Sequence, residues 1–225
     1  MIIPGCDISS VQARPDLTGA GLLFVYVKCK QGNDGKDPDC EANLAMCDRV
    51  GLVKGRYHFL YPLPHIDPLS QADGFQAAAG GPPPIGDMPD ALDLEWPAPV
   101  DWAKWGCTGP QICGYAAAVL ARMDANQGRK TPCYTYPDFV NQLVNSGGDI
   151  SFLRDRPIWM AGGSKYGTGV WPTDSDPPPV IHGLVPTLVQ WDGNGGRKLP
   201  DGRDCDFDVF LGDDAAFDAF RGMTH

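Results

Sequence analysis

Short apolar runs recur along this 225-residue chain and alternate with segments of helical spacing. The runs cover 2–7, 22–28 (LLFVYVK), 53–61 (VKGRYHFLY), 89–95, 131–136, 157–161, 187–191 and 205–210. Between them, 39–50 places Ala42, Ala45, Met46 and Val50 on one side of a helix, and 68–80 reads as a helix stopped by glycine. A third helix, the clearest, spans 111–126; another begins with proline at 137–145, and 213–220 closes the series. Strands alternating with helices predict a parallel sheet with helical crossovers. Eight such strands in one chain predict that the sheet closes on itself. Residues 162–186 are rich in Gly and Pro and lack a helical period, so the last strands are expected to be joined by loops. The fold class is therefore α/β: a single irregular (β/α)-barrel, TIM-barrel-like, with eight strands and some helices lost near the C-terminus. No linker interrupts it, and residues 1–225 read as one domain.

Composition narrows the chemistry. The chain is 43% hydrophobic, enough for a substantial core, and its net charge is −10. An acidic surface argues against nucleic acid, whose backbone is gripped by Lys/Arg patches. No apolar run reaches the ~18 residues that a membrane-spanning helix needs, so no membrane insertion is expected. Residues 1–7 read as a strand and lack the basic start and long apolar stretch of a signal peptide. A monomer is expected, either made in the cytoplasm and released, or secreted with its signal removed. The eight cysteines form no CxxC pair and have no His at zinc-finger spacing, so neither a metal nor a cofactor is expected. Cys6, Cys29 and Cys205 fall in strand-like runs and are read as buried free thiols. Cys107 and Cys113 flank Gly109 and Pro110 and form the expected local disulfide.

The segment 88–96 carries the strongest chemical signal. Asp93 and Glu95 stand two apart at a strand end and so point to the same side. Paired carboxylates repel, and one holds its proton to higher pH. An acid beside a base is what glycoside cleavage requires. The other capable residues also fall at strand ends: Asp7, Lys28, Tyr57, His58, Tyr134, Tyr136, Trp159, Gln190, Trp191 and Asp206. Barrel enzymes build their active sites at that end. Asp7, Asp93, Glu95 and Asp206 are therefore expected to face one pocket as the catalytic acids. Tyr57, His58, Trp96, Tyr134, Trp159, Gln190 and Trp191 are expected to bind substrate, the aromatic rings against sugar faces. Each has a plainer reading. Asp7 could cap a turn at Ser9 and Ser10, His58 could be a satisfied core histidine, and Lys28 is read as a structural ion-pair partner. Trp96 and Trp191 could be core, as Trp102 and Trp105 are read to be, and Asp204 and Asp208 are ambiguous.

In register, these motifs resemble the glycoside hydrolase family 25 lysozymes, or N-acetylmuramidases, including phage endolysins. The resemblance rests on Gly5-Cys-Asp-Ile-Ser-Ser10, Gly51-Leu-Val-Lys-Gly-Arg-Tyr-His-Phe59, Ala91-Leu-Asp-Leu-Glu95, Pro157-Ile-Trp-Met-Ala161, Val189-Gln-Trp191 and Asp206-Phe-Asp208. It implies cleavage of the β-1,4 bond between N-acetylmuramic acid and N-acetylglucosamine in bacterial peptidoglycan. Glu95 matches the general acid/base, and Asp93 the residue that orients the substrate's 2-acetamido group. Asp7 and Asp206 match the remaining pocket acids, and anomeric configuration is retained. Three positions depart from the pattern: Ala13 replaces a glycine, Lys28-Cys-Lys-Gln-Gly32 replaces K-A-T-E-G, and Asp208 replaces an Asn. Other readings are a non-catalytic wall-glycan binder, a barrel hydrolase acting on another glycan such as chitin, a divalent-metal hydrolase, and an inverting route through Asp7 or Asp206.

Overall fold

The computed structural model describes residues 1–33, 35–96, 101, 104, 106–193 and 196–223, and among these nine strands and five α-helices are defined. In chain order these are β1 (Ile2–Ile8), β2 (Phe24–Gln31), β3 (Gly35–Lys36), α1 (Cys40–Val50), β4 (Val53–Phe59), α2 (Pro68–Ala78) and β5 (Ala91–Asp93). They continue with α3 (Gly109–Gln127), β6 (Cys133–Thr135), α4 (Pro137–Asn145), β7 (Ile158–Ala161), β8 (Leu188–Asp192), β9 (Asp206–Leu211) and α5 (Asp214–Phe220). The two-residue β3 is a hairpin appended to β2. The other eight strands close into a barrel in the order β1-β2-β4-β5-β6-β7-β8-β9, with β9 returning to β1.

One strand reverses the expected direction. β9 runs antiparallel to both β8 and β1. A parallel strand needs a helix to carry the chain back across the barrel first. Residues 193–205 supply no such helix among the described residues, so the chain turns at the rim and comes straight down. Residues 162–187 and 9–23 also lack an α-helix. The loss of helices is therefore not confined to the C-terminal part: the first connection lacks one as well.

The strand period of two sorts side chains into two layers. Val25, Val27, Leu92, Leu94, Met160 and Val189 pack outward under the helices. Phe24, Tyr26, Tyr57, Tyr134, Trp159, Leu188 and Phe210 fill the interior. Phe217 of α5 plugs the lower end, its ring 5.8 Å from Phe24 and 5.2 Å from Phe210. Above that plug, Tyr26 stacks on Trp159 at 4.8 Å, and Tyr134 meets Trp159 edge-on at 5.0 Å. The barrel is thus a filled core with a floor of aromatic rings.

Local signals set the helix ends. Thr108 and Gln111 form a reciprocal capping box that starts α3, and Gly128 ends it with φ 70°. This start overturns the expected Cys107–Cys113 disulfide. Gly109 and Pro110 form the first turn of a helix rather than a reverse turn, and both cysteines are free and buried. The disulfide joins Cys29 on β2 to Cys40, the first residue of α1. Cys29 is therefore not a free thiol, whereas Cys6 and Cys205 are free and buried. Ala13, where the family resemblance has glycine, takes φ 58° in the left-handed region. That conformation costs an L-residue ~1 kcal/mol or more. The turn is held by Ser9 N–H donating to Gln12 Oε1 at 2.9 Å and by Asn43 Nδ2 donating to Ala13 O at 3.1 Å.

Candidate active site

The upper rim of the barrel holds a polar cavity of about 310 Å³ lined by Asp7, Asp93, Glu95, Asp206, Lys28, Tyr57, Phe59, Tyr134, Trp159, Tyr166, Gln190 and Gly193. A second cavity of about 530 Å³ adjoins it, with Trp96, Tyr136, Pro137, Asp138, Ala161 and Gly162 in its wall. Phe59, Glu95, Tyr134 and Tyr166 border both. Glu95 thus stands where an acidic pocket passes into a largely apolar cleft.

The strands explain how the four expected acids meet. Asp7 lies on β1, Asp93 ends β5, and Glu95 follows two residues later. Asp206 reaches the same rim although it begins its strand, because β9 runs downward and its start lies at the top, with Asp206 paired to Asp7 across the strands. Asp208, two residues further down β9, is fully buried beneath them and accepts from Trp159 Nε1 at 2.8 Å. Asp7 does not cap the following turn; its Oδ2 accepts from Gln190 Nε2 at 2.9 Å. Gln190 Oε1 in turn accepts from the Tyr134 hydroxyl at 2.9 Å. Both ends of this amide are engaged, so its orientation is fixed. Asp93 Oδ1 is buried and takes no hydrogen bond among the described residues.

Each acid is pushed toward its neutral form, and burial is the largest cause at each. Glu95 rises to about 7 through burial, opposed by Lys28. Asp206 also rises to about 7, through burial and then the nearby Glu95. Asp93 is raised well above the carboxylate range by burial, with Glu95 adding and Lys28 opposing. Burial likewise raises Asp7, with Asp208 and Asp206 adding. At Asp208 burial again dominates, against the Trp159 N–H. Mutual repulsion, the cause expected from the sequence, ranks second or lower throughout.

Tyr57, Trp159 and Gln190 line the acidic pocket, Trp96 the apolar cleft, and Tyr134 both. His58 and Trp191 do not line either. His58 sits between Tyr57 and Phe59 on β4 and points the other way, toward α2. There it is fully buried, with Nε2 3.0 Å from Gln71 Oε1 and Nδ1 3.2 Å from Lys30 O. Burial lowers it to about 4, so it stays neutral in that site. Trp191 faces outward from β8 and packs on Trp171 at 4.7 Å and Phe207 at 6.0 Å. Lys28, expected as an ion-pair partner, forms no salt bridge among the described residues: it donates to Gln31 Oε1 at 2.8 Å and lies 4.8 Å over the Phe59 ring. Asp204 is exposed and pairs with Lys198. Trp102 and Trp105 lie outside the described residues. Tyr166, Phe59 and Gly193 are pocket residues that the sequence reading missed. Phe59 ends a motif quoted for other residues, and Tyr166 lies in a stretch without any period. Among the described residues no group of three or more His, Cys, Asp or Glu is arranged to hold a metal ion.

A cleft with clustered, partly protonated carboxyl groups and aromatic walls at the rim of a barrel defines a glycoside hydrolase. A family model described as Glycosyl hydrolases family 25 matches residues 6–172, and the chain belongs to that family. Lysozyme M1 of Streptomyces globisporus is 27% identical over 227 residues, spanning 99% of this chain and 72% of the relative. A bacterial lysozyme from Streptomyces coelicolor superposes with a TM-score of 0.77 at 26% identity, covering 97% of this chain and 96% of that one. A family GH25 lysozyme from Aspergillus fumigatus shares the fold with a TM-score of 0.79 at 22% identity, covering 98% and 99%.

Proposed function

We propose that this chain is a muramidase that cleaves the β-1,4 bond between N-acetylmuramic acid and N-acetylglucosamine, with Glu95 as its proton donor. The observation that carries this reading is the place of Glu95: it borders both cavities, and burial holds it near pH 7. The lysozyme names of the relatives support peptidoglycan as the substrate.

Protonated Glu95 gives its proton to the glycosidic oxygen as the C1–O bond breaks. The substrate's acetamido oxygen attacks C1 from the opposite face and forms an oxazolinium ring. Asp93, which lines the acidic pocket, accepts from the acetamido N–H and holds the group for that attack. Glu95, now ionised, takes a proton from water, whose oxygen opens the ring at C1 and leaves the configuration retained. Asp7 and Asp206 keep the pocket polar, while Trp159, Tyr57 and Tyr134 support the sugar ring.

A monomer acting at the cell wall, after release or secretion, completes the proposal. No helix among the described residues is long and apolar enough to cross a membrane. The test is mass spectrometry of purified peptidoglycan digested by wild type and by Glu95→Gln. New reducing N-acetylmuramic acid ends from wild type, reduced by orders of magnitude with the folded variant, support the reading. Reducing N-acetylglucosamine ends would overturn the bond assignment. Wall binding without cleavage by wild type would leave a binding module instead.

A further inference from the structure

Asp208 is fully buried and does not line the acidic pocket above it. On β9 it pairs with Gly5 of β1 on one side and with Gln190 of β8 on the other. Asp206, two residues earlier on the same strand, pairs with Asp7. Residues two apart on a strand share a face, so Asp7 and Asp208 are diagonal neighbours on one side of the β1–β9 ladder, within side-chain reach. Gly5, directly opposite Asp208, brings no side chain between them. The two carboxyl groups meet in a side-chain hydrogen bond.

Little around the pair offsets two negative charges. Trp159 Nε1 donates to Asp208 Oδ1 at 2.8 Å, and Gln190 Nε2 to Asp7 Oδ2 at 2.9 Å. Asp208 Oδ2 is buried and has no donor among the described residues. Neither acid forms a salt bridge among them, and Lys28 acts on Asp93, Asp37 and Glu95 instead. The other titratable groups facing Asp208 are Asp206 and Cys205 on its own segment, Cys6 on β1 and Tyr26 on β2. Burial keeps Cys6 and Tyr26 neutral, and Cys205 stays above its ordinary thiol value although its contact with Cys6 lowers it. None of these groups supplies a positive charge. Two buried carboxylates in contact repel when both are ionised, whereas one proton between them makes a short, strong hydrogen bond.

We propose that Asp208 is a positioning residue that shares one proton with Asp7. The proton belongs to the pair rather than to either acid, and the pair carries one negative charge instead of two. Hydrogen bonds then run unbroken from Trp159 through Asp208, Asp7 and Gln190 to the Tyr134 hydroxyl. Trp159 and Tyr134, the two ends of that chain, meet edge-on at 5.0 Å in the floor. Asp208 thereby fixes both the Asp7 carboxyl at the rim and the Trp159 ring beneath the substrate. Its effect on cleavage rests on the glycan-cleaving reading of the pocket; the shared proton does not.

The test counts carboxyl protons by the infrared C=O stretch of protonated acids, at about pH 6, where Glu95 and Asp206 both keep theirs. Asp208→Asn and Asp7→Asn should each remove one such proton relative to wild type, because the acid that remains ionises between N–H donors. The double variant should also remove one. Any other count, such as two lost in the double variant or none in a single one, overturns the shared proton. Should Asp7→Asn fail to fold, Asp7→Ser takes its place. On uncrosslinked peptidoglycan glycan strands, Asp208→Leu should lower kcat/KM by about tenfold, the size of one lost hydrogen bond. Asp208→Asn still accepts from Trp159 and donates to Asp7, and should recover most of that loss. Equal activity of the Leu and Asn variants overturns the positioning role. Strands never cut by wild type, with the proton count as expected, would remove the muramidase reading and leave the shared proton standing.

Discussion

Asp7 and Asp206 face each other as paired residues of antiparallel strands, β1 at the start of the chain and β9 near its end. The reversal of β9 is what makes them neighbours. In a fully parallel barrel, the first residue of a strand would lie at the floor, beneath the aromatic rings of Tyr26 and Trp159.

The pH dependence of cleavage follows from Glu95. It must carry a proton for the first step and is held at about 7. The rate constant kcat/KM on soluble glycan strands should therefore fall about tenfold per pH unit above roughly pH 7. Asp206 also lies at about 7, so the profile should be repeated with Asp206→Asn. Persistence of the alkaline limb in that variant assigns it to Glu95; its disappearance would move the assignment to Asp206.

Asp206 also links stability to pH. Its folded value of about 7 exceeds the unfolded value of ~3.9. The folded state therefore holds the extra proton, and the stability this lends is present below ~4 and lost as pH rises through 7. Asp206→Asn removes that loss. The melting temperature of the variant relative to wild type should climb between pH 4 and pH 8 by roughly 10 °C, the size set by the gap between those two values. A constant difference across that range contradicts the assignment.

His58 shows the opposite linkage. Burial depresses it to about 4, below an unfolded value of ~6.5. The stability it contributes is present above 6.5 and lost as pH falls through 4. His58→Gln should cost about 2 kcal/mol at pH 7 through the contacts to Gln71 and Lys30 O. The gap to wild type should narrow on acidification, and the pH profile of cleavage should not move. A shifted profile would place His58 in the chemistry after all.

The disulfide can be counted. Thiol titration of the unfolded, unreduced chain should find six free thiols, and eight after reduction. Peptide mapping should join Cys29 to Cys40. Cys40→Ser should lower stability by roughly 2–3 kcal/mol, since the bond closes a short loop. A bridge between Cys107 and Cys113 in the map would refute this pairing.

Much of this was legible in the residues. Eight strand runs, five helices and the Asp93/Glu95 pair all follow from local periodicity, which survives the loss of every long-range contact. The direction of β9 did not, because an alternating pattern such as Asp206-Phe-Asp-Val-Phe210 reads the same in reverse. Nor did the faces of β4 and β8. Both layers of a barrel wall are apolar, so periodicity separates Tyr57 from His58 and Gln190 from Trp191 without saying which side is the interior. Tyr166 lay hidden because its position depends on two backbone bonds to β8 rather than on any pattern of its own. The Cys29–Cys40 bond depends on the small β3 hairpin, whose two residues are too few to register as a strand.

Closure of the barrel by its last strand also sets an order of events in synthesis. β1 gains its second neighbour, and Asp7 its partner, only when β9 has been made, and the floor is sealed only when Phe217 arrives. At ~5–20 residues per second, the first strand waits on the order of 10–40 s for that to happen. Until then the growing polypeptide holds Asp93 and Glu95 but no finished pocket around them, so a wall-cutting activity would switch on only as translation of this domain is completed.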